Sequence, residues 1–249
     1  MNRPSKEHII KRYDQELEHL HNLVLDIGAL VRSQLASAMK ALDESSVDIA
    51  RDVIEMDSEV NKLDIQADDE MIRLLAKRHP VAGDLREIIT ITKAVTDLER
   101  VGDEVRKIAQ MTINLHADSK TSLNNHIARD IRIMAEYVDV MLEMVMASFD
   151  QLDLDKAMET LRMDLHLEEE YKSALRRLAT FLMEDSRCVG LVIEVALALR
   201  ALERMGGHAK NIAGYVIFLA TGKDVRHEKL EAIETELGEL VLAKPNSLN

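Results

Sequence analysis

The sequence LERVGDEVRKIA at residues 98–109 returns 104 residues later as LERMGGHAKNIA at residues 202–213. Six of the twelve positions are identical, and the similarity runs through the whole segment. An internal repeat constrains architecture more than a single motif does, because each copy forms the same structural unit. The repeat therefore predicts two similar halves within one chain.

Both copies belong to longer helices that carry a seam of apolar or small residues. Spacings of three and four residues alternate along the seam, which is typical of a helix packed lengthwise against others. A glycine lies in the middle of each seam, where it costs about 1 kcal/mol relative to alanine. We expect close approach of a neighbouring helix at both glycines. The seams are Ile88, Ile91, Val95, Leu98, Gly102, Val105 and Ala109, then Val192, Val195, Leu199, Leu202, Gly206, Ala209 and Ala213.

The repeat extends towards the N-terminal side of each signature, with a slightly different offset of 107 residues. The change to 104 falls between the second and third helices of each half, where a loop tolerates deletion. The matched positions are Met39, Leu42, Asp43, Asp48, Ala50, Met56 and Asp57, which correspond to Met146, Phe149, Asp150, Asp155, Ala157, Met163 and Asp164.

Periodicity and breaks in it predict an all-α fold of two tandem, internally repeated three-helix bundles. Ser46 and Asp84 are expected to cap the second and third helices. We place six long helices at about 7–42, 47–78, 84–116, 126–149, 154–184 and 186–221. The predicted domains are 1–117, a polar linker at 118–125, a second bundle at 126–222 and a tail at 223–249. Within the tail, one short amphipathic helix is expected from Leu230, Ile233, Leu237, Leu240 and Val241.

Composition favours the same fold and restricts the function. Hydrophobic residues make up 47% of the chain and aromatic residues 3%, with 9 Gly and 3 Pro, which suits long helices better than sheets. The formal charge of −13 argues against nucleic-acid binding and is compatible with cation binding. Cys188 is the one cysteine, so we expect a reducing compartment.

No apolar run reaches the length of a membrane span. The best candidate, residues 189–199, contains Glu194 and ends before Arg200. Residues 1–11 lack the apolar core of a signal peptide. The sequence therefore predicts a cytoplasmic protein.

The signature helix also carries paired carboxylates. Glu99 and Asp103 are four residues apart, so they share one flank of the helix beside the seam. Two carboxylates at this spacing repel each other unless a cation lies near them. The neighbouring Arg100 and Arg106 are one source of positive charge, and a hard metal ion such as iron or manganese is another. By spacing alone, a solvated charged flank remains the alternative interpretation.

The order of several short segments resembles a known family. These are the two signature segments at 98–103 and 202–207, HIIKRYDQEL at 8–17, DLR at 84–86 and GKDVRH at 222–227. Together they resemble the PhoU phosphate-signalling regulators of bacteria, and the resemblance covers nearly the whole chain. It implies two similar three-helix bundles in a cytoplasmic, often dimeric protein that is not an enzyme.

The resemblance also implies a function and partners. PhoU-like proteins exert negative control on the phosphate-starvation (Pho) regulon and on phosphate uptake. They act between the ATPase of the phosphate-specific ABC transporter and the membrane-bound sensor histidine kinase of a two-component system. A homodimer that reaches the membrane only through its partners, and does not bind nucleic acid, is therefore expected.

Some family members bind iron or zinc through Glu/Asp-x-x-x-Asp motifs, one set in each half. The first motif is intact here, which implies Glu99 and Asp103 as metal ligands. In the second, Glu203 remains but Gly207 replaces the expected Asp, so we expect a weak or absent second site. Any replacement ligand there would come from His208, or from the helix that carries Asp164 and Glu168.

Two alternatives to the regulator remain open. Glu16-x-x-His19 and Glu18-x-x-His21 match the spacing found in ferritin-like di-iron bundles, which would make the protein an oxidase or an iron store. That motif is expected on two helices and occurs here only in the first. The other alternative is a helical adaptor unrelated to phosphate that holds a partner helix in a groove.

The remaining candidate residues do not indicate catalysis. His8, His19 and His21 cluster in the first helix and are expected at the surface. The sequence shows no nucleophile with a positioned base. We therefore expect no enzymatic activity.

Overall fold

A computed structural model describes residues 11–78, 80–117, 125–226 and 228–242. This part of the chain is built from helices alone, and the predicted all-α class is confirmed. The elements are α1 (Lys11–Glu44), α2 (Val47–Arg78), α3 (Ala82–Ala117), α4 (Asn125–Gln151), α5 (Leu154–Glu184), a 3₁₀ turn (Ser186–Cys188), α6 (Val189–Thr221) and α7 (Leu230–Leu242).

The helix ends follow the sequence closely, with a few corrections. Ser46 caps α2 as predicted, since its Oγ accepts a hydrogen bond from the Ile49 amide at 3.3 Å. Asp84 does not cap α3, because that helix already begins at Ala82 and Asp84 lies in its first turn. Most of the predicted linker lies outside the described residues, and Asn125 already belongs to α4.

Two bundles, α1–α3 and α4–α6, pack against each other. Helix α3 packs along α6, and α1 packs along α4. The α3/α6 pair is antiparallel, because Asp97 meets His208 whereas the later Glu104 meets the earlier Arg204. Within the described ranges, no helix is both long enough and apolar enough to cross a membrane.

The predicted seams form the core of both bundles. Every seam residue of the first copy is buried, and in the second copy all are buried except the half-buried Val192. At Gly206 the expected close approach is confirmed, since a Cβ there would lie 2.1 Å from Leu167 Cδ2. At Gly102 a Cβ would lie 3.3 Å from Asp57 Oδ1. The equivalent glycines therefore face different chemistry.

The end of α6 is a left-handed turn that returns the chain to the bundle. Gly222 has a φ of 85°, and its amide donates to the Phe218 carbonyl at 2.8 Å. A Cβ on Gly222 would lie 2.9 Å from Arg86 Nη1, so glycine meets both a conformational and a steric need. The predicted tail helix is present as α7, and it buries Ile233.

Candidate functional site

The first bundle carries four carboxylates where α2 faces α3, and we call this group the acidic flank: Asp57, Asp64, Glu99 and Asp103. Glu99 and Asp103 lie one turn apart on α3, as predicted. Asp57 is only 7% exposed, although its helix was predicted to turn that residue to another side. Sequence reasoning therefore missed an inner member of this group.

The missed signal was the heptad phase of α2. Val53, Val60 and Ala67 are buried and belong to two possible heptads. One adds Met56 and Leu63, which we expected in the seam, and the other adds Asp57 and Asp64. The structure buries Asp57 and leaves Met56 half-buried. A carboxylate at a seam position is costly to bury without compensation, so its position there requires an explanation.

The acidic flank raises the pKa values of its own members. Burial raises the pKa of Glu99, and repulsion from Asp103, then from Asp64 and Asp57, raises it further. Burial raises the pKa of Asp64, and the neighbouring Asp68 adds to the effect. The ionised carboxylates are thus held partly out of water and close to one another. A bound cation would relieve both penalties.

Arg106 supplies positive charge to one side of the flank. Its Nη2 donates to Asp103 Oδ1 at 2.9 Å, and its Nε lies 3.7 Å from Asp57 Oδ2. Burial nevertheless raises the pKa of Asp57, although Arg106 opposes that shift. Arg100 lowers the pKa of Glu99 but does not outweigh the burial and repulsion that raise it. Arginine therefore compensates the flank only in part.

The donor types of the flank suit a hard cation, because all four side chains present carboxylate oxygens. Among the described residues, however, no three His, Cys, Asp or Glu side chains lie close enough together to hold a metal ion. Carboxylates alone therefore do not complete a coordination shell in this conformation. The metal-binding role expected for Glu99, Asp103 and Glu203 stays a prediction.

The corresponding positions of the second bundle have lost half of the carboxylates. By the repeat offsets, Asp57 corresponds to Asp164 and Glu99 to Glu203. Asp64 corresponds to Tyr171, and Asp103 corresponds to Gly207. A side chain at Gly207 would meet no atom within 4 Å, so the missing carboxylate is not excluded by packing.

The carboxylates that remain in the second bundle are paired with basic residues. Lys210 Nζ donates to Asp164 Oδ2 at 2.6 Å. Arg200 Nη1 lies 3.2 Å from Glu203 Oε2, and its guanidinium stacks over the Tyr171 ring at 5.8 Å. Their charges are therefore compensated by the protein itself, unlike those of the acidic flank.

Two suggested replacement ligands are also engaged elsewhere. Lys172 Nζ lies 2.7 Å from Glu168 Oε1, and its hydrogen bond lowers the pKa of that carboxyl. His208 turns away from α5 and crosses to the first bundle. There its Nδ1 lies 2.7 Å from Asp97 Oδ1, and both side chains are buried.

Asp97 is the centre of a buried polar network between the two bundles. Besides His208, it accepts hydrogen bonds from Tyr215 Oη at 2.8 Å and from Asn211 Nδ2 at 3.3 Å. Burial and the bond to Asp97 raise the pKa of Tyr215 to about 12. The network satisfies Asp97 fully, so we assign it to holding α3 against α6.

The histidines of α1 do not form a di-iron centre. His19 Nε2 lies 3.2 Å from Glu70 on α2. His21 faces α4, with its ring stacked on Phe149 at 4.9 Å and its Nε2 3.1 Å from Asp150 Oδ1. The two motifs therefore point to different helices. His21 is buried, so the expectation that it lies at the surface was wrong, and His8 lies outside the described residues.

Comparison with known proteins gives one consistent result. The PhoU domain matches residues 24–112 and again residues 131–216, once in each bundle. A Pseudomonas putida protein named phosphate-specific transport system accessory protein PhoU homolog is 38% identical over 242 residues, covering 97% of this chain and 93% of its own. The Escherichia coli K12 accessory protein PhoU is 32% identical over 221 residues, covering 89% and 90% of the two chains.

Solved structures agree with the sequence matches. The crystal structure of PhoU from Pseudomonas aeruginosa superposes with a TM-score of 0.81 at 38% identity, covering 85% of this chain and 100% of that chain. The phosphate transport system regulatory protein PhoU from Streptococcus pneumoniae gives a TM-score of 0.78 at 25% identity, covering 86% and 99%. The tandem bundles described above are therefore shared with both proteins.

Proposed function

Because this chain belongs to the PhoU family of phosphate-transport accessory proteins, we propose that it is a negative regulator of the Pho regulon and of phosphate uptake. The observation that carries the proposal is the PhoU domain match in both bundles, at nearly full length against relatives named for phosphate transport. Its role is to keep the starvation response off when phosphate is plentiful.

The regulator acts as an adaptor without catalytic activity of its own. One partner is the ATPase of the phosphate-specific ABC transporter, and the other is the sensor histidine kinase. The two bundles of one chain offer two similar outer surfaces, so weak binding at each gains from effective concentration. The protein works in the cytoplasm and reaches the membrane through these partners.

A deletion strain that carries a phosphate-starvation reporter tests the regulatory role. In high phosphate, we expect the reporter to turn on in the deletion strain and to be silenced when the gene is restored. A reporter that stays silent after deletion would contradict the proposed control of the Pho regulon. Phosphate uptake measured in the same strains tests the second part of the proposal, with higher uptake expected after deletion.

The acidic flank is proposed as the cation site of this regulator, with Glu99 and Asp103 as ligands and iron, manganese or zinc as candidate ions. The raised pKa values of Glu99 and Asp64 support this, because a cation would stabilise their ionised forms. The second bundle is proposed to bind no metal, since the charge of Glu203 is compensated by Arg200.

The proposed homodimer has a candidate contact on α6. Val189, Ile193 and Leu197 lie at successive i, i+4 positions and are 46%, 54% and 59% exposed. Two antiparallel copies centred on Ile193 would place Val189 of one chain opposite Leu197 of the other, which is the self-complementarity of a two-fold contact. The same arrangement brings Arg200 of one chain towards Asp185 of the other. Ile193→Glu is expected to halve the mass measured by light scattering.

A further inference from the structure

A small buried space lies behind the acidic flank, at the point where Gly102 of α3 lacks a side chain. A Cβ on Gly102 would lie 3.3 Å from Asp57 Oδ1, 3.5 Å from Gln34 Oε1 and 3.6 Å from Val60 Cγ1. Helices α1, α2 and α3 thus each contribute one wall. Two of the three walls are oxygen atoms that can only accept hydrogen bonds while Asp57 is ionised.

Gln34 is the unexpected member of this group. Its side chain is 1% exposed, and its Oε1 accepts no hydrogen bond from the protein. A buried amide oxygen without a partner is rare, because its desolvation is not compensated. Asp57 uses its other oxygen, Oδ2, for Asn61 and Arg106, so its Oδ1 is the atom that faces Gly102.

The second bundle shows what this place looks like when it needs no ligand. The repeat offset of 107 matches Gln34 to Met141 and Val60 to Leu167. A Cβ on Gly206 would lie 2.1 Å from Leu167 Cδ2 and 3.6 Å from Met141 Cε. Apolar side chains therefore fill the space that two oxygen atoms line in the first bundle.

We propose that Gln34 Oε1 and Asp57 Oδ1 form the inner wall of a divalent-cation site over Gly102, with Glu99 and Asp103 on its outer side. The inference rests on the proposed cation site for its outer ligands and adds Gln34 as a ligand. An amide oxygen is a hard donor that suits ions such as Mn²⁺ and Mg²⁺. It is also the donor type that a survey of acidic, histidine and cysteine side chains omits.

Charge favours a cation over a water molecule in this space. A water molecule can donate to both oxygen atoms, but it brings no net charge to a region where Asp57, Glu99 and Asp103 share Arg106. A divalent ion gives Gln34 its missing partner and also compensates carboxylates that the protein leaves in excess. Both needs are met by one ligand at one place.

Mn²⁺ titration of the full chain, followed by the loss of the free-ion signal in electron paramagnetic resonance, tests the proposal. Gln34→Met copies the second bundle, and Gly102→Ala fills the space from the opposite side. We expect each substitution to weaken Mn²⁺ binding at least tenfold. In chelator, Gln34→Met is expected to melt at or above the wild-type temperature, because it removes an oxygen atom that has no partner.

Matched controls are Gln110→Met, an exposed glutamine on α3, and Gly190→Ala, which would meet no atom within 4 Å. Both should bind Mn²⁺ as the wild type does. Unchanged binding by Gln34→Met, with binding lost in Glu99→Gln, would overturn the inner site and leave a site made of flank carboxylates alone. A lower melting temperature of Gln34→Met in chelator would also overturn it, by showing that the amide NH₂ donates to Asp57. Neither result depends on the reporter strain that tests the regulatory role.

Discussion

The two bundles share their helices and seams, yet they treat the same surface differently. In the first, four carboxylates lie together, and burial and mutual repulsion raise the pKa values of Glu99 and Asp64. In the second, Asp164 and Glu203 remain, and each has a basic partner. Duplication has thus kept the packing of the bundle while the charged flank diverged. Function assigned to one copy cannot be transferred to the other by position alone.

The largest expected effect concerns the contact between the bundles. Asp97→Ala leaves His208 and Tyr215 buried without their acceptor, so we expect a loss of about 3 kcal/mol in the free energy of unfolding. Urea denaturation followed by circular dichroism measures it. Asp69→Ala, at a 63% exposed side chain, is the control and should change stability little. Equal stability of the two variants would contradict the latch assigned to Asp97.

The paired glycines give the next effect. Gly206→Ala places a Cβ 2.1 Å from Leu167 Cδ2, so the side chain has to shift, and we expect about 2 kcal/mol of destabilisation. Gly102→Ala meets its nearest atom at 3.3 Å and also gains helix propensity, so its change should be near zero in the absence of metal. Similar losses in both variants, measured by denaturation in chelator, would show that the two glycines are packed alike.

Neutralising equivalent carboxylates is expected to have opposite signs in the two bundles. Glu99→Gln removes a charge held near other acids, so it should stabilise the metal-free protein by about 0.5 kcal/mol at neutral pH. Asp164→Asn removes the partner of Lys210 and should destabilise by about 1 kcal/mol or less. Thermal melts of both variants in chelator give the comparison. The same sign in both would refute the contrast between the flanks.

The smallest effect is the pH dependence of the Glu99→Gln gain. Since folding raises the pKa of Glu99, the stability linked to this group is fully present below its unfolded pKa of about 4.3 and is lost as pH rises through the folded pKa. The gain from Gln should therefore be largest near pH 7 and should disappear near pH 4. A gain that is constant between these values would contradict the raised pKa as its cause.

Much of the fold followed from local patterns in the sequence. Periodicity predicted the seams, the helix bounds and the duplication, because burial along a helix repeats every few residues. The same logic would have found Asp57, since the heptad of Val53, Val60 and Ala67 passes through it in one of its two phases. Met56 is more apolar, and that preference led to the wrong phase for α2.

Contacts between bundles were beyond the reach of such patterns. His208 was considered a replacement ligand for its own half, whereas it bonds to Asp97, 111 residues away in sequence. His21 was expected at the surface, but α4 covers it with Phe149. Gln34 lay on a helix with a clear apolar stripe and gave no signal of its own. Only the packing of three helices around Gly102 shows that its oxygen lacks a partner.

The central claim is that cation binding belongs to the first bundle alone. Isothermal titration of the metal-free full chain with Mn²⁺ tests it most directly, using Glu99→Gln and its repeat equivalent Glu203→Gln. We predict one ion per chain, lost in Glu99→Gln and unchanged in Glu203→Gln. Two ions per chain, or equal loss of binding in both variants, would contradict the divergence of the two bundles.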